Sequence, residues 1–334
     1  MKDEYSNIPI VNIEPFLAGN DRFLVAKEVV KACEKVGFLI ISGHGIETRI
    51  IQNAFDKSLD FFRMPQVEKD KYHPTTASQQ RGYHAFATRG LAYTLGENAP
   101  PDLRETYFLG PLNDHRKHFH NLPGAQKAYA PNIFPDASIG LSAALKTLYL
   151  SFEKLSEVLL EIFAIGLEQK EDYFANLIKR HFSILSSHHY PPLPVAPKNN
   201  QLRTGAHTDF GAMTILAMTK ASGGLEVLMP NDEWLPVQPP AGCLVVNLGD
   251  MMSRWTNGHW KSTLHRVVNP KDLNDLSSRR QTLGYFMHPD YDAIIKTIPS
   301  CIAPGKAPKF TTITAGEHIA EKIRASHEGG PKTI

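Results

Sequence analysis

Apolar positions along the chain change their period near residue 178, and the change divides the sequence into two textures. In the first, residues 8–13 form a short apolar run that predicts a strand. Phe23, Ala26, Val30 and Cys33 then step by 3, 4 and 3, the spacing of one helical face, and Gly37 ends the pattern. Residues 38–41 predict a second strand, stopped by Ser42-Gly43-His44-Gly45. Ile51, Phe55, Leu59 and Phe62 predict a second helix that stops before Pro65. Residues 70–135 are rich in Pro, Gly and polar side chains and read as long loops. The longest helical pattern runs from about 138 to 165, where Leu141, Leu145, Leu148, Phe152, Leu155, Leu159 and Ile162 step strictly by 4 and 3. That spacing would suit a coiled-coil seam, but no regular charge code flanks it, which favours a helix packed on a sheet.

Beyond residue 178, short apolar runs alternate with turn signals. The runs are 182–185, 213–218, 225–228, 243–246, 263–268 and 281–286, punctuated by Gly223-Gly224, Pro230-Asn231, Pro239-Pro240 and Asn257-Gly258. Many short strands at this spacing predict an antiparallel sandwich or barrel. Helices first and strands later make the chain α+β.

Composition narrows the picture by exclusion. Formal net charge is +2 (36 basic minus 34 acidic side chains), which gives no support for nucleic-acid or anionic-membrane binding. Cys33, Cys243 and Cys301 are scattered, so neither a disulfide framework nor a zinc knuckle is indicated. The amino terminus lacks the apolar stretch of a signal peptide, and no 18-residue apolar run exists. The expectation is a cytoplasmic protein, monomeric or weakly dimeric.

Candidate chemistry concentrates in the strand-rich part. His207 and Asp209 stand in Gly-Ala-His-Thr-Asp-Phe-Gly, and His265 follows 56 residues past the Asp (265 − 209). Residues i and i+2 of a strand share a face, so His207 and Asp209 can aim into a barrel mouth while His265 closes the set from another strand. Two imidazoles and a carboxylate form the facial triad of non-haem iron sites, with open positions left over. His-x-Asp alone is a cheap pattern, and His288-Pro289-Asp290 repeats it. That copy carries Pro at a strand end, and no arginine on an apolar strand follows its downstream histidines. Fifteen residues past His265 (280 − 265) comes Arg280-Gln281-Thr282. Arg280 and Thr282 share a strand face and can hold a carboxylate by a planar fork and a hydroxyl, while Arg279 must face outward. Tyr190 is a third candidate contact to that carboxylate, and His188 shares its face. Metal and anchor together point to O2 activation driven by a 2-oxo acid.

With these residues in place, the chain resembles the isopenicillin N synthase-like family of Fe(II)/2-oxoglutarate-dependent oxygenases over nearly its whole length. The amino-terminal part carries Ile8-Pro9-Ile10-Val11, Gly37-Phe38-Leu39, Gly43-His44-Gly45-Ile46, Arg81-Gly82-Tyr83 and Asp102-Leu103-Arg104-Glu105. Core motifs are His207-Thr208-Asp209, Gly223-Gly224-Leu225, Gly249-Asp250, His265-Arg266-Val267 and Arg280-x-Thr282. The resemblance implies a double-stranded β-helix (jelly-roll) core with flanking helices and an N-terminal α/β region. It implies Fe(II) on His207, Asp209 and His265, 2-oxoglutarate as co-substrate, O2, and ascorbate as a support in vitro. It also divides the chain into an N-terminal region (1–120), a connecting segment with the long helix (121–177), the oxygenase core (178–295) and a C-terminal extension (296–334).

Two positions depart from the family's pattern: the hydroxyl of the usual Arg-x-Ser is Thr282, and plant members often carry Asn where His188 stands. The implied reaction oxidises, most simply hydroxylates, a C–H of a small organic metabolite and releases succinate and CO2. A same-fold oxidase of cyclase or desaturase type that does not use 2-oxoglutarate, and a non-catalytic small-molecule-binding protein, are the competing readings. For substrate contacts the expectation is Phe286 as an aromatic wall, His288 on the same strand face, and Arg89, Tyr93 and Arg104 on a lid.

Overall fold

In a computed structural model of the chain, the described residues are 7–76, 79–91, 100–193, 196–273 and 275–327. Tyr93 lies outside them. In chain order the elements are β1 (Ile10–Asn12), α1 (Glu14–Leu17), α2 (Arg22–Lys35), β2 (Phe38–Ser42), α3 (Thr48–Phe62), α4 (Gln66–Asp70), β3 (Gly82–His84), β4 (Glu105–Leu109), α5 (Pro123–Ala128), α6 (Leu141–Gly166) and β5 (Ile184–Tyr190). The chain continues through β6 (Thr204–His207), β7 (Met213–Met218), β8 (Gly224–Leu228), β9 (Trp234–Pro236), β10 (Leu244–Leu248), α7 (Asp250–Trp255), β11 (His265–Val268), β12 (Arg280–Met287), β13 (Ile294–Ile295), β14 (Ile313–Thr314) and α8 (Ala315–His327).

Two sheets face each other. The major sheet runs β1-β2-β10-β7-β12-β5-β4-β3 and the minor sheet β6-β11-β8-β9. Only the β1–β2 pair is parallel in these two sheets. Side-chain alternation sorts the major sheet into a helix-packed face and an inner face. On β12, Leu283, Tyr285 and Met287 join the main apolar core, and Tyr285 meets Tyr149 of α6 edge-on at 5.2 Å. On β7, Met213, Ile215 and Ala217 do the same. The opposite face of these strands looks toward the minor sheet. There Leu216, Met218 and Val245 pack with Leu225 and Val227 of β8, an apolar plug at one end of the space between the sheets.

The long helix α6 buries every residue of its 4-and-3 stripe. It packs against α2, α3 and β12, as expected of a helix on a sheet. The predicted face of α2 is rotated in the structure. Phe23 is 81% exposed, and the buried side chains are Val25, Ala26, Val29, Ala32 and Cys33. Small residues go inward because α2 lies hard against α6: a methyl on Gly166 would come within 2.5 Å of Val30 Cγ2. Residues 70–135 are also more than loops. They contribute β3, β4 and α5, and β4 pairs with β5 to extend the major sheet. Tyr107 and Leu109 supply the apolar alternation there, hidden in the sequence by Glu105 and Thr106. No helix among the described residues is long and apolar enough to cross a membrane.

Candidate active site

His207 ends β6 and His265 opens β11, and the two are directly paired across the antiparallel ladder. Asp209 is not on the strand as expected. Strand β6 stops at His207, and the carboxylate is carried by the turn that follows. Backbone bonds from the β10–α7 turn fix that loop: Asp250 N–H donates to Asp209 O (2.8 Å) and Met251 N–H to Gly211 O (3.1 Å). Space there is tight, because a methyl on Gly249 would lie 2.2 Å from Gly211 O. The three side chains converge. Nε2 of His207 and of His265 lie 3.7 and 3.8 Å from Asp209 Oδ1, and one ligand atom from each residue falls within 4.8 Å of the others.

The donor set fits a divalent metal. His207 Nδ1 bonds to Gly205 O (2.8 Å) and His265 Nδ1 to Thr263 O (3.1 Å). A carbonyl only accepts, so both Nδ1 atoms carry the proton and both Nε2 atoms offer lone pairs toward Asp209. Asp209 Oδ2 is occupied by Thr214 Oγ1 (2.5 Å) and Asn247 Nδ2 (2.7 Å), which leaves Oδ1 turned to the imidazoles. Burial and the neighbouring His265 push the His207 imidazole down to about 3, so it is neutral. Burial works to raise Asp209, but the two imidazoles and the Thr214 and Asn247 donors outweigh it and hold the carboxyl below its ordinary range. Thr214 and Asn247 escaped the sequence reading; an Asn inside the apolar run Leu-Val-Val-Asn-Leu of β10 was the available signal.

Further along the inner face, β12 pairs with β5 so that Arg280 lies opposite Tyr190 and Thr282 opposite His188. Arg280 is 2% exposed, and its guanidinium sits 5.1 Å from the Tyr190 ring centroid. Its Nη2 lies 3.7 Å from Met218 Sδ, the Tyr190 phenol is a side-chain partner, and Nη1 has no hydrogen-bond partner among the described residues. A buried cation left in this state is costly, and an incoming carboxylate would offset that cost. Burial lowers the Arg280 guanidinium, and the Tyr190 phenol offsets it in part. Tyr190 OH lies 3.3 Å from Thr204 Oγ1. Arg279 is exposed and turns outward, toward His189 Nε2 at 3.3 Å. His188 lies among Thr106 Oγ1 (2.8 Å), Ser186 Oγ (3.0 Å) and Arg104 Nη1 (3.4 Å). Burial, then the Arg104 charge, keeps its imidazole well below its ordinary value and so neutral.

Of the lid candidates, Arg104 pairs with Asp102 (3.1 Å) and reaches His188, while the Arg89 guanidinium lies 5.6 Å from the Phe108 ring centroid. Asp102 also accepts from Gly205 N–H (3.0 Å), tying this segment to the strand that carries His207. Phe286 is half-buried on the inner face and belongs to neither apolar cluster. His288 stacks on Phe182 at 4.9 Å and lies against Gly211. A separate cavity of about 600 Å³, lined by Glu153 and Glu157 of α6 with His115 and His181, includes none of these residues.

Comparison with known proteins agrees with this geometry. Residues 8–137 match the model of the N-terminal region of non-haem dioxygenases in morphine synthesis, and residues 181–289 match that of the 2OG-Fe(II) oxygenase superfamily. The chain is 32% identical over 331 residues to the 2-oxoglutarate-dependent dioxygenase citB of Monascus ruber, covering 96% of this chain and 95% of that one. It is 29% identical over 325 residues to the 2-oxoglutarate-Fe(II) type oxidoreductase hxnY of Emericella nidulans, covering 96% and 90%. Among solved structures, it is similar to a full-length Neurospora crassa protein in complex with alpha-KG (2-oxoglutarate) and thymine, with TM-score 0.82, 26% identity and coverage of 98% and 99%. The chain belongs to the 2OG-Fe(II) oxygenase family. It is a non-haem Fe(II)/2-oxoglutarate-dependent dioxygenase with a jelly-roll core.

Proposed function

We propose that this dioxygenase hydroxylates a C–H of a compact organic metabolite, with His207, Asp209 and His265 as the iron ligands and Arg280, Thr282 and Tyr190 as the anchor for the far carboxylate of 2-oxoglutarate. The observation that carries the reading is a pairing. Two imidazoles of the minor sheet, locked with their Nε2 lone pairs toward one carboxylate oxygen, stand with a buried guanidinium of the major sheet that has no anionic partner among the described residues. Iron with 2-oxoglutarate and O2 supplies the oxidising power, and one oxygen atom goes to succinate, formed with CO2, and the other to the hydroxylated product. The protein's own part is positional. Gly205 O and Thr263 O set the ring tautomers, Thr214 and Asn247 fix the carboxylate rotamer, and Arg280 receives charge without competition from water. Ascorbate is expected to support turnover in vitro.

Substrate binds where Phe108 and Phe286 supply flat apolar walls and Arg89 and Arg104 supply donors. Such walls suit a compact ring bearing an acidic or hydrogen-bonding group. The Neurospora protein's complex with thymine adds support for a ring of that size. The test is succinate release from 2-oxoglutarate across a panel of pyrimidines, aromatic acids and amino acids, with Asp209→Ala in parallel. Succinate release stimulated by one class, and abolished in Asp209→Ala, is expected. Full turnover in Asp209→Ala would refute the ligand assignment. Substrate oxidation without succinate would establish the oxidase reading instead.

A further inference from the structure

Two deeply buried arginines of this chain contrast in a way the known reaction does not explain. Arg81 is 2% exposed and every nitrogen of its fork is used: Nε donates to Ala130 O (2.9 Å), Nη1 to Gln80 O (2.7 Å) and Nη2 to Ala128 O (2.6 Å). That is a structural clamp, fully satisfied. Arg203 is 0% exposed, yet only Nη2 is used, donating to Pro191 O at 3.2 Å. Its Nε and Nη1 have no hydrogen-bond partner, and no carboxylate pairs with it among the described residues. An arginine confined to packing would be cheaper as an apolar side chain of similar volume, so two buried unspent donors point to an anion.

Position decides which anion. Pro191, the residue Arg203 holds, directly follows Tyr190, and Thr204, the residue after Arg203, touches the Tyr190 hydroxyl. Arg280 is paired with the same Tyr190 across the β12–β5 ladder, its guanidinium 5.1 Å from the ring centroid. Arg203 thus reaches the residue next to Tyr190 and interacts electrostatically with both Tyr190 and Arg280. Burial, then the Arg280 charge, pulls the Arg203 guanidinium down to about 10, with Tyr190 acting the other way. Each buried cation raises the cost of the other, and a single carboxylate between them relieves both. We infer that Arg203 is a second positioning residue of the co-substrate pocket, which with Arg280 selects a 2-oxo acid carrying a full carboxylate at its far end over one with an uncharged tail. This rests on the assignment of Arg280 to 2-oxoglutarate.

The test is calorimetric titration of 2-oxoglutarate, and of 2-oxopentanoate as the uncharged-tail analogue, into Ni(II)-substituted protein, which does not turn over. Parent, Arg203→Gln, Arg203→Lys and Arg280→Gln are compared, alongside KM and kcat of the iron enzyme. Arg203→Gln should weaken 2-oxoglutarate by about 10-fold or more, leave 2-oxopentanoate affinity nearly unchanged, and raise KM more than it lowers kcat. Arg203→Lys should recover part of the loss. Arg203→Gln that keeps parental affinity for both acids would overturn the inference, as would equal losses for both acids together with a lowered melting temperature in Gln and Lys alike. Arg280→Gln separates the two levels: if it too leaves 2-oxoglutarate binding intact, the co-substrate assignment itself fails; if it alone discriminates, only the role of Arg203 fails.

Discussion

Phe286 shows how one side chain can be assigned by the company it lacks. Its neighbours on β12, Tyr285 and Met287, lie in the main core, while Phe286 is half-buried and belongs to neither apolar cluster. A core phenylalanine cut to alanine costs about 3–5 kcal/mol. Phe286→Ala should cost far less, leave 2-oxoglutarate decarboxylation without substrate intact, and depress substrate-coupled turnover. Melting curves and succinate assays with and without substrate measure all three. Loss of both activities together with a core-sized drop in stability would make Phe286 a packing residue. At this scale the sequence was legible where chemistry dictates spacing: His207-x-Asp209 and His265 converge, and Arg280-x-Thr282 is paired opposite Tyr190 and His188 on the other sheet. Arg203 was not legible, because nothing in Gln-Leu-Arg-Thr distinguishes a buried unspent guanidinium from an exposed one.

Elements reveal what holds the ligand loop. Helix α8 reaches back across the molecule: Lys322 Nζ pairs with Asp250 Oδ2 at 2.6 Å, and His318 Nε2 bonds to Phe210 O at 3.1 Å. Asp250 also accepts from Thr208 Oγ1 (3.3 Å), and its own N–H holds Asp209 O. The C-terminal helix is thus coupled through one carboxylate to the turn carrying Asp209. Outer-shell partners of metal ligands are worth about 10–100-fold in affinity. Lys322 stands one contact further out and is partly exposed, so Lys322→Met should weaken Fe(II) by roughly 10-fold at most. Competition with a chromogenic chelator measures this, and unchanged affinity at unchanged helicity would sever the proposed link. Most strands and the long helix were readable from apolar period, because one-sided burial writes itself into sequence. The face of α2 was not, since Phe23 is apolar yet excluded by the close approach of α6. Strand β4 was missed because Glu105 is polar for a reason invisible in sequence: it meets Lys69 and His189 (2.7 and 2.8 Å) and Tyr83, all buried.

Across the whole molecule, buried histidines are the groups that acid puts most at risk. His84, His288 and His318 are each pushed down by burial, to about 3, 4 and 4, from an ordinary value of 6.5. The sign follows directly. A base whose folded pKa is lowered is neutral in the fold while the unfolded chain takes up the proton, so its contribution is complete above about 6.5 and is lost as pH falls from there toward 4. Asp290 opposes this: burial raises it to about 6, so protonation below that value favours the folded state. His44, His115, His188, His189 and His207 are lowered as well, against the raised carboxyls of Asp102, Glu157 and Asp290, so the imidazoles outnumber the carboxyls and leave a net loss in acid. The melting temperature of the metal-free protein should therefore hold between pH 8 and 7 and fall steadily from about pH 6.5 to about 4.5. His318→Gln, which keeps a donor for Phe210 O without a titrating ring, should flatten that fall. A melting temperature independent of pH across that window, or a His318→Gln profile parallel to the parent's, would show that these buried imidazoles are not what limits the fold in acid.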